Sequence, residues 1–397
     1  MKFDFRKIFL KISILFLSFM IGFYGSRFIY FYKTENKKET KEYRVFEYFT
    51  KGENAIKNNL IEYENNYYFY KNNKNNYIYY SGLLYRILYL NKDSVYIITD
   101  ECITNLKYGK DEKYNTSNIK DWLNNVYMNN INKTYLKNNN VNLLDIDIYS
   151  KIGQEKSFIK NKDFWILDND KALVITEAGI ITKTSNYSDF LGVRPVIELK
   201  ANTKIIEGDG SISNPIIIEK RNIKTLNDLY IGEYINYKNN NYRIIEKKDE
   251  YIKVLSVNKL NEQKIFSNYI NEYSLKYKND LGYYLNNTYI KELNENDLVK
   301  IDYYIGEYNL DYKETDSKKI KTHIGLLKVG DYFISSIKNS FILTTTNDNI
   351  YTINKNGSLY IENINKKMDI YPVFALKNNI IVKSGTGQKN NPYTVGD

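Results

Sequence analysis

Residues 194–218 read RPVIELKANTKIIEGDGSISNPIII, and residues 371–395 read YPVFALKNNIIVKSGTGQKNNPYTV. Both stretches follow one plan. Pro195 and Pro215 recur as Pro372 and Pro392, and Gly208 and Gly210 recur as Gly385 and Gly387, all at an offset of 177. Each stretch begins as an apolar strand whose Pro suits a strand start or an edge, where no ladder donor is needed. Each then turns through GDG or GTG, where glycine supplies positive φ at low cost. SNP or NNP forces a second extended entry, and IIIE or YTV closes the sheet. The motif therefore reads as the closure of a domain, written twice. Calcium binding by Glu207 and Asp209 is disfavoured, because Ser384 and Thr386 stand at those places in the second stretch.

The repetition extends upstream. FWIL at Phe164 meets FILT at Phe341, offset 177, and LLDIDIY at Leu143 meets LLKVGDY at Leu326, offset 183. DWLNNVY at Asp121 meets YYLNNTY at Tyr283, offset 162, and YRIL at Tyr85 meets YRII at Tyr242, offset 157. Matches in one unbroken order predict two tandem copies, residues 61–219 and 220–397, joined at the charged segment EKRNIKTLND, residues 219–228. The second copy carries extra residues around 294–316 and is shorter between Tyr332 and Phe341.

Each copy reads as one physical unit. Tyr85–Leu90 and Val95–Thr99 flank the turn Asn91-Lys92-Asp93 as a hairpin, and Tyr242–Ile245 with Ile252–Val257 repeats it. Ser117 is placed to cap a helix on which Ile119, Trp122, Leu123, Val126 and Tyr127 share a face. Leu281, Tyr284, Leu285 and Tyr289 hold that face in the second copy. Short strands and the Pro motif follow. The expected class is α+β, with short antiparallel strands.

Composition narrows the chemistry. The 397 residues are 43% hydrophobic and 26% charged, which suits folded domains rather than a disordered chain. One Cys, Cys102, rules out an internal disulfide framework and a Cys-based metal cluster, and one His, His323, disfavours a His-rich metal site or a Ser-His-Asp triad. No cofactor or metal is expected. A net charge of +10 fits an anionic polymer or lipid headgroups as partners. It also fits plain Lys-rich usage in a chain with 41 Tyr and 4 Pro. No zinc finger, phosphate loop or RNA-recognition signature is present, so nucleic acid is not an expected partner.

The chain opens MKFDFRKIFLKISILFLSFMIGFYGSRFIYFYK. After a basic start, residues 8–24 are apolar apart from Lys11, Ser13, Ser18 and Gly22, and aromatic residues continue to Tyr32. At 1.5 Å per residue such a helix approaches a bilayer's thickness. GFYGSR places an aromatic where cleavage needs a small residue, so a retained signal-anchor is predicted over a cleaved peptide. The predicted layout is a cytoplasmic tail 1–7, a single transmembrane span 8–32, a partly helical stalk 33–60, and extracellular C-terminal domains.

LGVRPVIELKANTKIIEGDGSISNPIII, preceded by FWIL and by YNTSNIKDWLNN, resembles an uncharacterised extracellular domain family of Firmicutes and their wall-less relatives. Residues 66–219 follow its pattern well. Residues 229–397 follow it in outline, with Tyr284 for Trp122, Ile342 for Trp165 and Tyr371 for Arg194. The resemblance implies no activity. Its motif order is similar to the C-type-lectin-like and formylglycine-generating-enzyme folds, although the Cys pair of the oxidase chemistry is absent here. For ligand contact the candidates are Trp165, able to stack on a sugar, and Arg194, able to fork onto carboxylate or phosphate. The alternative places Trp165 in the core and pairs Arg194 with a buried carboxylate. The expected function is a membrane-anchored surface module for binding or adhesion, toward a cell-wall polymer, glycan or surface protein. An envelope spacer, or a glycan hydrolase using paired carboxylates, are the alternatives.

Overall fold

A computed structural model describes residues 43–51, 60–71, 73–153, 162–184, 186–305, 312–313, 318–345, 349–354 and 357–396. The expected membrane span lies outside the described residues. Among the described residues, no helix is long and apolar enough to cross a membrane.

The described residues form an α+β fold that is strand-rich with few helices. In the first half the apolar run Leu83–Leu90 pairs with Ser94–Thr99 through a tight turn. Asn91 sets that turn, its side-chain oxygen accepting from the N–H groups of Asp93 and Ser94. Ser94–Thr99 then pairs with Val196–Lys200, and Val196–Lys200 with Leu136–Asn142. On the other side of Leu83–Leu90, its start pairs with Tyr77–Tyr80 and its end with Asn66–Phe69. The closing strand Ile216–Ile217 returns parallel to Tyr77–Tyr80.

The second half builds a sheet in the same order. Tyr234–Tyr237, Asn240–Lys247, Tyr251–Ser256, Val373–Lys377 and Leu298–Val299 follow one another, and Tyr393–Val395 runs parallel to Tyr234–Tyr237. Individual contacts recur at the offsets of the motifs. Ile78 faces Ile216 and Ile235 faces Tyr393. Tyr77 N–H donates to Gly210 O at 2.9 Å, and Tyr234 N–H donates to Gly387 O at 2.8 Å. The Tyr85 and Tyr127 hydroxyls meet at 2.6 Å, and those of Tyr242 and Tyr289 at 3.4 Å. Gly208 (φ +97°) and Gly385 (φ +112°) stand where a Cβ would collide with the carbonyls of Pro215 and Pro392. Only glycine serves the turn at either place.

Ser117 caps its helix, Oγ accepting from Lys120 N–H at 3.1 Å. The helix Asn118–Trp122 widens into a π turn, Leu123–Tyr127, which keeps Ile119, Trp122, Leu123 and Tyr127 all buried. Its counterpart, Leu281–Asn287, buries Leu281 and Leu285.

Pro195 stands immediately before the strand Val196–Lys200, a strand start as expected, though that strand is paired on both sides rather than at an edge, and Arg194 and Pro195 form a corner. Leu191–Val193 belongs to a second, five-stranded sheet with Phe164–Asp168 and Thr104–Leu106, and the chain crosses at Arg194-Pro195 into Val196–Lys200 of the first. Proline costs nothing there, since its missing N–H falls between two ladders.

Residues 44–50, expected in the stalk, pack against the body. Val45 and Phe49 are buried, Val45 N–H donates to Thr203 O, and Phe49 meets the Phe69 ring edge-on at 5.3 Å. Arg44 to Asp397 folds as one compact unit, and one buried apolar cluster runs through both halves. The halves interlock along residues 329–336. Trp122 Nε1 donates to Gly330 O at 3.1 Å, Phe333 N–H to Ile103 O at 2.6 Å, and Ser335 Oγ to Cys102 O at 2.6 Å.

The joint 219–228, read as a charged segment, is packed into the fold. Leu226 is fully buried, and its N–H donates to Ile380 O. Arg221 grips the buried Glu233 through two bonds, 2.5 and 3.2 Å, and stacks on the Tyr230 ring at 4.0 Å. Backbone held this way is a poor protease substrate. Limited proteolysis of the full chain should therefore leave 219–228 intact while other sites are cut. Early fragments ending within this segment, identified by mass spectrometry, would contradict the packing described.

Candidate functional site

A cleft of about 710 Å³ opens between the two halves, within the roughly 300–1,000 Å³ usual for ligand sites. The strand order explains where it lies. Each half ends by laying its closing strand beside the strand that opens its hairpin. The loops preceding those closing strands are thereby carried to the cleft: Ile212 and Ser213 from the first, Gly387 to Asn390 from the second. Tyr79 and Tyr234, on the two opening strands, supply further walls.

The two turns that bring the halves together leave no room for side chains. A Cβ on Gly82 would sit 2.6 Å from Ile231 O, and one on Gly232 would sit 2.6 Å from Gly82 O. Across this contact the Tyr79 hydroxyl donates to Gly387 O at 3.3 Å. A first-half side chain thus holds the second half's glycine loop.

Arg243 dominates the electrostatics. Its guanidinium is nearly buried, packed 3.3 Å from the centre of the Phe333 ring and 4.8 Å from that of Tyr234, with Nε donating to Gly232 O at 3.1 Å. One face of the fork reaches out to Glu101, Nη2 to Oε1 2.6 Å, and Glu101 is 44% exposed. Burial opposes the charge on Arg243, but Glu101 and neighbouring tyrosines more than offset it and hold the pKa above its ordinary value. Beside Glu101, Asp100 has its pKa raised by burial, against the pull of Arg194 and Arg86. The cleft thus presents an exposed carboxylate anchored on a buried cation, a rim of Gln388, Lys389 and Asn390, and tyrosine and aliphatic walls. Such a surface can hydrogen-bond polar groups while covering an apolar face.

Trp165 and Arg194 are both fully buried, and neither lines the cleft. Trp165 donates from Nε1 to Leu106 O at 2.9 Å and packs on Tyr108 at 5.0 Å. Arg194 donates to Thr99 O from Nε at 2.9 Å and from Nη2 at 2.6 Å, and to Asp100 O at 2.9 Å. It lies over the Phe164 ring at 5.2 Å. Because side chains alternate along a strand, Phe164 and Trp165 enter different apolar clusters, and the structure does not bring Trp165 and Arg194 onto a common surface. Arg194 bears on the cleft indirectly, by fixing the carbonyls just before Glu101.

Sequence reasoning missed Glu101, Arg243 and Lys389. Arg243 carried a signal, since YRI recurs at Arg86 and Arg243 and each Arg faces a cross-strand tyrosine, Tyr77 or Tyr234. Glu101 and Lys389 carried none, being two charges among many. Comparison of the chain with family models, curated proteins and solved structures finds no match in any of the three.

Proposed function

We propose that the chain is a bacterial cell-surface binding protein, held in the membrane by residues 8–32 and carrying outward two copies of one domain, 61–219 and 220–397. The domain is taken as C-type-lectin-like on the order of its motifs. Its ligand is a cell-wall polymer, a glycan or a surface protein, bound in the cleft between the copies. The observation that carries this reading is that both closing loops wall one cleft. The contacts that recur at the motif offsets support the duplication. The apolar start of the chain supports the anchor. Two packed copies then make one composite site, rather than two sites gaining avidity.

The test uses the full chain in detergent and purified cell-wall glycan fragments as the probe. Gln388→Ala with Lys389→Ala removes rim groups from the cleft and is expected to weaken binding at least about tenfold, with melting unchanged. Equal binding by this variant would sink the cleft reading. No binding by the unaltered chain would favour the spacer.

A further inference from the structure

A second concavity, of about 350 Å³, lies wholly within the second half, between the hairpin Ile301–Ile305/Lys318–Thr322 and the sheet strands Asn240–Lys247 and Tyr251–Ser256. The first strand of that hairpin lies within the extra residues of that half. Lys248, Lys253, Lys300, Lys321 and Lys328 line the concavity, against Glu246, Glu250 and Asp302, and with Asp331 behind Lys253 and Lys328 one positive charge is left in excess.

Lys253 is the inner member, with its side chain 6% exposed. Its Nζ lies 3.5 Å from Glu246 and 3.7 Å from Asp331. Charge-assisted bonds run at about 2.7–2.9 Å, so three donors face carboxylates too distant to satisfy them well. Neither carboxylate is reserved for Lys253. Asp331 accepts the Lys328 N–H at 2.9 Å and has Lys328 Nζ at 3.7 Å. Glu246 accepts the Tyr251 hydroxyl at 3.3 Å and has Lys248 Nζ at 3.6 Å. Burial opposes the charge on Lys253, but Asp331 and Glu246 outweigh it and keep the group protonated. A buried, charged donor set therefore opens into a cavity ringed by further ammonium groups.

We propose that this concavity binds a phosphate group, either on a small phosphomonoester or on a lipid headgroup. Lysines act as separate point charges, which suits a tetrahedral anion with an oxygen for each. Among the described residues, no arginine lines the site to fork a planar carboxylate. The volume is at the small end for ligand pockets, which admits a headgroup-sized moiety.

The experiment takes the full chain in nanodiscs of phosphatidylcholine and titrates it with glycerol phosphate by calorimetry. A second arm replaces the lipid with phosphatidylglycerol and reads hydrogen exchange over residues 318–328. The exposed pair Lys300→Gln and Lys321→Gln should leave melting unchanged and weaken glycerol phosphate at least about tenfold. Binding should also fall as salt is raised. A silent soluble arm, with exchange slowed by phosphatidylglycerol in the unaltered chain and not in the double variant, assigns the phosphate to the headgroup. The proposal is overturned if neither arm responds, or if the double variant responds like the unaltered chain. Because the probe and residues differ from those of the cleft, either result leaves the cleft assay to stand by itself.

Discussion

Arg194→Ala is expected to destabilise the folded unit by about 3–5 kcal/mol. The guanidinium is fully buried and ties the carbonyls of Thr99 and Asp100. Alanine leaves both carbonyls without their donor, removes a cation beside Asp100, and opens a cavity above Phe164. The Thr99 carbonyl and the Phe164 ring are already out of water, so solvent compensates little there. Arg194→Lys keeps the charge but not the fork, and should fall between the two. Thermal melting of the full chain, each variant beside the unaltered protein, is the measurement. An unchanged melting temperature for Arg194→Ala would remove the structural role assigned to it. Since Thr99 and Asp100 lead into Glu101, the milder Lys variant should also disturb the binding proposed for the cleft.

Trp122→Ala should cost about as much, roughly 3–5 kcal/mol for deletion of a buried indole. Trp122 is fully buried, its Nε1 bonded to Gly330 O and its ring 5.1 Å from Tyr332. The residue is a first-half helix side chain, and its hydrogen-bond acceptor and its ring partner both lie in the second half. The damage should therefore appear where the halves meet. Hydrogen exchange should accelerate over residues 329–336 before it does in the strands Leu83–Leu90 and Ser94–Thr99. Trp122→Phe retains most of the apolar contact and gives up the hydrogen bond, a loss of about 1 kcal/mol plus the unfilled volume. Uniform acceleration throughout the unit would argue that Trp122 serves the first half alone.

The contrast between Trp122 and Trp165 shows how far a sequence pattern reaches. Both are buried aromatic residues in repeated motifs. Periodicity placed Trp122 on an apolar helix face, and that was right. It could not reveal that the face covers the other half of the chain. For Trp165, stacking on a sugar and packing in a core demand the same residue. The choice was made by what packs onto the indole: Tyr108 lies against it, Leu106 O accepts its N–H, and Trp165 is left no open face. The joint 219–228 failed for a related reason. It read as a charged segment, yet Arg221 has a buried partner in Glu233, and Leu226 is buried with its N–H on Ile380 O.

By itself the sequence determined what depends on neighbours along the chain. The Asn91 turn, the Ser117 cap, the glycines of the two closing loops and the apolar runs of the paired hairpins are all local preferences, written within a few residues. Only the tertiary structure decided what depends on residues far apart. The corner at Arg194-Pro195 exists because two sheets meet there. The Glu101–Arg243 pair spans 142 positions, and the cleft is walled by loops near 212 and 388. Lys253 has its inadequate partners at Glu246 and Asp331 because strand and loop converge. In each case a charge or carbonyl loses water when the chain closes around it, and the partner it then needs is set by packing geometry, which no short stretch of residues contains.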